Sequence, residues 1–375
     1  MSKKAPLDYQ LNSALGKNRS TLSNLFIDPI LVFSILTILV FGLFALYSAS
    51  DQSTRMVQNQ ALYIIFGLVM MFFISRLDQT VYKSFLMHLI WLGLVLLLWV
   101  LIFPAEGYKT ERWIDLGFLS FQPSEVLRLI LPLAVVSYLT RNNRRPAFKD
   151  WLITTSAIFL ASFLIYKQPD LGTALIVLAS GCIPLFLAGL PLLVLSGFLI
   201  LILAVSPFLW NNLSHYMQQR VITLFNPETD LLGAGWNISQ SKTAIGSGGI
   251  SGKGYLGGTQ SQLDFVPESH SDFIFAVIGE EFGFVGIILL FLVYGVILYR
   301  VFHIAFNSST EFSRLAASSL GFIFLIYILI NISMTVGTLP VKGLPLPLIS
   351  QGGTSIVIHL MAFGFVLSMK KRQTW

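Results

Sequence analysis

Charge is what this sequence has least of. Only 11% of its 375 residues are Asp, Glu, Lys or Arg, 55% are hydrophobic, and the mean hydropathy is +0.75. A soluble domain is about 25% charged, so a water-soluble enzyme is excluded. Cysteine is nearly absent. The single Cys182, inside an apolar run, excludes an intramolecular disulfide and reads as a small hydrophobe. The five histidines are scattered without a Cys partner or a paired-His spacing, which argues against a structural zinc site. The net charge of +6 is read by position, as topology and not as a nucleic-acid surface.

Long apolar runs fill the space that charge leaves. Ten are legible, at 29–49, 60–76, 84–103, 124–140, 151–167, 171–188, 191–210, 273–299, 315–338 and 352–369. A membrane-spanning helix needs about 20 mostly apolar residues. The expected fold is therefore all-α: a polytopic integral membrane protein of about ten transmembrane helices, with a large extracytoplasmic loop, 211–272, between the seventh and eighth. Residues 1–28 read as a cytoplasmic N-terminal segment, 29–369 as one transmembrane domain and 370–375 as a cytoplasmic tail. The first run lacks a convincing cleavage site and reads as a retained anchor.

Basic residues set the orientation. With the N-terminus inside, cytoplasmic segments hold 15 of the 24 Lys and Arg, outward segments hold 8, and Arg128 lies within a span. The densest cluster is Arg141, Arg144, Arg145 and Lys149. The positive-inside rule then places both termini in the cytoplasm and 104–123 and 211–272 outside. The long loop contains Ile222, Phe225, Trp236, Tyr255 and Phe265, so short amphipathic or re-entrant helices are expected in it.

Polar residues at span ends are the candidates for chemistry. Glu125 and Arg128, at i and i+3 after Pro123, share a helix face. They read either as a self-neutralising structural pair or as the wall of a pocket for an anionic head group. Asp170 suits an N-cap of the sixth span, with a role in a site also open. Asp272 is either a cap or a carboxylate in reach of a substrate hydroxyl, as a general base requires, and Glu280 and Glu281 follow it. The stretch from Gly246 to Gly258 contains G-x-G-x-x-G at Gly252–Gly257, but no strand–helix unit frames it and no Walker pattern fits. It reads as a hinge or close-packing segment, or as a backbone cradle for a phosphate.

Several segments match one family in order along 29–369. They are Arg112-Trp-Ile-Asp-Leu-Gly117, Phe121-Gln-Pro-Ser-Glu125, Gln168-Pro-Asp-Leu-Gly-Thr173, Asn226-Pro-Glu-Thr-Asp230, Gln240-Ser-Lys-Thr-Ala-Ile-Gly-Ser-Gly-Gly249, Gly258-Thr-Gln-Ser-Gln262, His270-Ser-Asp-Phe-Ile-Phe275, Glu280-Glu-Phe-Gly283 and Gly343-Leu-Pro-Leu-Pro-Leu348. The chain resembles the SEDS proteins of shape, elongation, division and sporulation. It departs from their pattern at Arg128, where many relatives have Lys, and at Ser350-Gln-Gly-Gly-Thr354, where S-Y-G-G-S is usual.

The resemblance implies a peptidoglycan glycosyltransferase of the bacterial inner membrane. It would polymerise lipid II into glycan strands on the periplasmic side, for cell-wall elongation and rod shape. Implied partners are lipid II, a class B penicillin-binding protein and other elongation machinery. Asp272 is the implied base, with Glu125 lining the same cavity. Candidate substrate-binding residues are Arg128, Asp170, Arg112, Gln122, Ser124, Arg220, Lys242 and Lys253. Of these, Arg128, Arg220, Lys242 and Lys253 are the cations available to the leaving pyrophosphate, with a divalent ion, Mg or Mn, as a possible helper. A lipid II flippase and a non-catalytic cell-wall scaffold are the rival readings. Inverted repeats would favour a transporter, and no convincing internal repeat is visible.

Overall fold

The computed structural model describes residues 28–103, 114–115, 120–141, 146–168, 170–190, 234–263, 265–339 and 343–370, with scattered positions between 191 and 233. In order, the elements are α1 (Pro29–Ala49), α2 (Thr54–Arg76), α3 (Gln79–Ile102), β1 (Ile114–Asp115), β2 (Ser120–Phe121), α4 (Pro123–Leu139), α5 (Phe148–Lys167), α6 (Leu171–Leu187), α7 (Ala234–Ser247), α8 (Thr259–Gln262), α9 (Ile274–Phe306), α10 (Glu311–Thr335) and α11 (Gly353–Ser368). Apart from a two-residue antiparallel hairpin, which pairs Ile114 with Phe121 and Asp115 with Ser120, every described element is a helix.

Six of these helices, α1, α2, α3, α5, α9 and α10, are long and apolar enough to cross a membrane, and α6 and α11 are shorter apolar helices. Their outer faces carry large apolar side chains such as Phe33, Phe73 and Trp91, each more than 60% exposed. Such a surface suits lipid and not water. The seventh apolar run, 191–210, falls mostly outside the described residues. Within the segment 211–272, the elements whose bounds are described are α7 and the single turn α8.

Local chemistry explains several boundaries. Asp28 caps α1 by accepting the Leu31 N–H at 3.1 Å, and Pro29 at the first helical position gives up only an N–H that would be unpaired anyway. The second helix begins at Thr54, six residues before its apolar run, because Ser53 caps it through the Met56 N–H and Gln60 is buried. Gln60 donates to the Ser350 carbonyl at 2.9 Å and accepts from the Gly352 N–H at 3.4 Å. A polar turn is thus held inside the bundle by the loop before α11. α2 and α11 also approach closely along their length. A methyl group at Gly364 would stand 2.8 Å from the Met71 carbonyl oxygen, so a small residue is what allows the crossing.

α9 has 33 residues, about 50 Å at 1.5 Å per residue, which exceeds the ~30 Å hydrocarbon core. The expected run 273–299 is in fact two pieces, broken at Gly283, whose φ of 63° and ψ of −161° lie far from helical values. The piece before the break carries Glu280 and Glu281, and the piece after it is the apolar rod. The break frees backbone groups, and the glycine-rich stretch satisfies them. The amides of Lys253 and Gly254 donate to the carbonyls of Glu280 and Glu281, each at 3.0 Å. The amides of Phe284 and Val285 donate to Gly249 and Ile250, at 2.9 and 3.1 Å. A Cβ on Gly283 would overlap the Gly252 nitrogen, and one on Gly252 would overlap the Glu281 carbonyl. Here glycine is used so that two backbones can lie against each other. That is the close-packing role, and it leaves these four amides unavailable to a phosphate.

Candidate functional site

Two groups of the expected site residues are brought together by α10. The first surrounds Arg128. The short hairpin delivers Gln122 and Pro123 into α4, so that Glu125 falls in the first turn, where the helix dipole favours an anion. Arg128, one turn on, is buried. Its Nη1 donates to the Tyr327 hydroxyl and its Nη2 to Ser355 Oγ, both at 3.0 Å, and its guanidinium lies 5.0 Å from the Tyr327 ring centre. The Glu125 Oε1 is 4.0 Å from Nη2. The pair is thus charge compensation at the edge of contact, and the short bonds of Arg128 go to α10 and α11. Glu125 Oε2 is buried with no hydrogen-bond partner among the described residues, as is the Oγ of Ser124. Gln122 occupies the N-cap of α4 without a side-chain cap bond and stays half-buried.

Asp170 caps α6. Its carboxylate accepts the Thr173 N–H at 3.0 Å and the Thr173 hydroxyl at 2.9 Å. It also lies in electrostatic reach of Tyr327, as does Glu125, so Glu125, Arg128 and Asp170 share one neighbourhood. His359 stands against the same tyrosine, with ring centres 5.2 Å apart, and its Nδ1 contacts the Ser355 carbonyl at 2.8 Å. A small cavity of about 30 Å³ lies under Arg128, lined by Tyr327, His359 and apolar residues of α10 and α11.

The second group surrounds Asp272. The N-cap position of α9 is Phe273, so Asp272 stands one residue before it and does not take the cap position. Its carboxylate is half-buried and lies beside Gly343, where a Cβ would come within 3.4 Å of Oδ2. Its carbonyl accepts from Asn331 Nδ2 at 2.9 Å, and the same nitrogen donates to the Leu344 carbonyl at 2.6 Å.

Of the other expected cations, Lys253 and Lys242 are among the described residues. Lys253 is bound to Glu280, with Nζ 2.6 Å from Oε1. Glu280 is fully buried and also accepts from the Gln260 and Ser261 amides and the Thr259 and Ser261 hydroxyls. This pair holds the glycine-rich segment onto α9. Glu281 accepts from the Ser48 hydroxyl of α1. Lys242 is exposed on α7, close to Gly337. Arg112 and Arg220 lie outside the described residues. Among the described residues no three His, Cys, Asp or Glu side chains gather as a metal cage.

Tyr327, Asn331, Ser355 and His359 do not stand out in the sequence as site residues. A signal was present: Tyr327, Asn331 and Thr335 recur every four residues in an apolar span, and Ser355 and His359 are four apart as well.

The fold and these two groups define a multi-span helical membrane protein in which a buried guanidinium and the backbone carbonyl of Asp272 both meet one helix, with Glu125 and Asp170 close to the first. The chain belongs to the FtsW, RodA and SpoVE family, described as "Cell cycle protein", whose model matches residues 28–374. It is 42% identical over 344 residues to the peptidoglycan glycosyltransferase MrdB of Escherichia coli K12, covering 92% of this chain and 93% of that one. Among solved structures it is similar to a chain of a peptidoglycan synthase complex that coordinates polymerization and crosslinking, with TM-score 0.79 and 31% identity, over 91% of this chain and 96% of that one. It is also similar to the rod shape determining protein RodA of Thermus thermophilus, with TM-score 0.69 and 28% identity, over 91% and 95% of the two chains.

Proposed function

We propose that this protein is a peptidoglycan glycosyltransferase that polymerises lipid II for cell-wall elongation. The observation that carries the reading is its 42% identity, nearly end to end, with a protein named for that activity. The geometry supports it: a half-buried carboxylate, Asp272, stands at the head of α9, with an anion–cation pair, Glu125 and Arg128, placed by the same neighbouring helix.

In this reading Asp272 takes the proton from the acceptor sugar's hydroxyl. The freed oxygen pair attacks the anomeric carbon of the donor from the face opposite its pyrophosphate. The bond from that carbon to the pyrophosphate oxygen breaks, undecaprenyl pyrophosphate leaves with the electron pair, and the configuration inverts, as in base-assisted inverting glycosidases. Charge developing on the leaving group calls for fixed cations. Arg128 is the buried candidate and Lys242 the exposed one, while Lys253 is already neutralised by Glu280. Arg112, Arg220, Gln122, Ser124 and Asp170 complete the proposed substrate-binding set. Any divalent cation is read as arriving with the substrate's pyrophosphate.

The positive-inside bias supports both termini in the cytoplasm and Asp272 on the periplasmic side. A class B penicillin-binding protein is the proposed partner, by analogy with the synthase complex. The test is direct. The detergent-solubilised complex should turn lipid II into a ladder of glycan strands, and penicillin should not block it. No ladder, together with transbilayer movement of lipid II in liposomes, would hand the case to a flippase.

A further inference from the structure

Two polar side chains of α10 have no part in the chemistry above, yet each is bonded to a residue that does. Tyr327 and Asn331 are buried and four residues apart, so they lie on the same helix face. Tyr327 accepts from Arg128, and Asn331 donates to the Asp272 carbonyl. The next residue on that face, Thr335, is also buried, and its carbonyl accepts from Ser241 of α7 at 2.8 Å.

Taking the proposed glycosyltransferase reading as its basis, we infer that Tyr327 and Asn331 are positioning residues: one face of α10 fixes the Arg128–Glu125 pair and the backbone that carries the Asp272 carboxylate at a set separation.

The case for Asn331 is chemical. An apolar side chain would fill its place in the span without an unpaired oxygen of its own, whereas Asn331 Oδ1 is buried with no partner among the described residues. What the amide contributes is its nitrogen. Both contacts are to carbonyl oxygens, so only the NH₂ end can make them. Those carbonyls belong to Asp272 and to Leu344, and the neighbour of Leu344 is Gly343, against which the Asp272 carboxylate rests. Asn331 therefore holds both the base and the wall beside it. Tyr327 does the same for Arg128, through a hydroxyl and a ring face. A helical step of four residues advances about 6 Å, so the two attachment points are spaced by a rigid element. Reacting groups misplaced by ~1 Å can lose about 10²-fold in rate, which is why such spacing matters to a base and a head-group clamp.

The experiment measures strand synthesis by the purified complex with its penicillin-binding partner, at varied lipid II concentration and pH, beside thermal melting. Asn331→Leu should lower kcat by about 10- to 100-fold, move the acid limb of the pH profile and leave KM within about twofold. Tyr327→Phe, which removes one oxygen, should raise KM several-fold and leave kcat and the pH profile nearly unchanged. Should Asn331→Leu not insert, Tyr327→Phe carries the decision alone. Wild-type kinetics in both variants, or kcat and KM changing together in step with a lower melting temperature, would overturn the inference. No strands from the wild-type complex would instead strike down the glycosyltransferase reading, and the positioning inference with it.

Discussion

Lys253 and Glu280 meet twice: the Lys253 amide donates to the Glu280 carbonyl at 3.0 Å, and its ammonium reaches the Glu280 carboxylate at 2.6 Å. The carboxylate is fully buried, so its charge depends on the donors that residues 253–261 supply. Removing one partner of such a buried pair costs about 3 kcal/mol. Lys253→Met should therefore lower the melting temperature clearly, and adding Glu280→Gln should recover part of the loss. An unchanged melting curve for Lys253→Met would show that the loop is held by its backbone bonds alone.

The glycines of that loop should differ sharply in tolerance. Gly249 and Gly252 both have positive φ, at 57° and 76°, but a Cβ at Gly249 meets nothing within 4 Å, whereas one at Gly252 overlaps the Glu281 carbonyl. Gly249→Ala should cost about 1–2 kcal/mol of backbone strain. Gly252→Ala adds a clash between two backbones that no side-chain movement relieves, and should abolish the folded, monodisperse protein on size exclusion. Equal behaviour of the two variants would contradict the packing described for the α9 break.

Acid should loosen the bundle through Asp28. Burial pushes its carboxyl up, but the Arg300 guanidinium, the Leu31 N–H and the Lys370 ammonium outweigh that and hold it below its ordinary value of 3.8. A carboxyl depressed on folding stabilises above the unfolded value and loses that stabilisation as pH falls through the folded one. Melting of the detergent-solubilised protein should thus fall as pH drops below about 4. Asp28→Asn should be less stable than wild type at pH 7 and should lose less on acidification. A wild-type acid limb in Asp28→Asn would assign the effect to other carboxyls.

Activity separates the two proposed roles within the site. Asp272→Asn keeps the side-chain size and the backbone bond to Asn331 but removes the proton acceptor, so strand synthesis should fall about 10²–10⁴-fold while expression and partner binding persist. A full ladder from this variant would dismiss Asp272 as the base and leave the polymerase reading standing.

Arg128→Lys keeps a cation beside Glu125 and should retain most activity. Arg128→Met leaves Glu125 uncompensated and should lose activity with insertion intact. Normal strand synthesis by Arg128→Met would reduce the pair to a structural one.

Much of the architecture was legible because apolar runs are long and their caps are local. Asp28 and Pro29 mark the start of α1 in two adjacent residues. The start of α2 was missed because its first turn, Thr54 to Gln60, is polar, and Gln60 becomes a core residue only through Ser350, 290 positions away. The break in α9 was hidden because Gly283 interrupts no apolar pattern, and its cause is the distant Gly252. Within the site, the Asp170 cap was legible from Asp-Leu-Gly-Thr alone, since donor and acceptor are three residues apart. The link from Arg128 to Tyr327 spans 199 positions and leaves no local trace.

The clasp at Asp28 also bears on how the protein is made. Its carboxylate is held by Arg300, 272 residues later, and by Lys370, 342 residues later. At synthesis rates of about 5–20 residues per second, roughly 15 to 50 s pass before Arg300 exists to neutralise it. For that interval the Asp28 carboxylate lacks both cations that hold it in the finished protein, so the clasp closes only after α9 and Lys370 have been made.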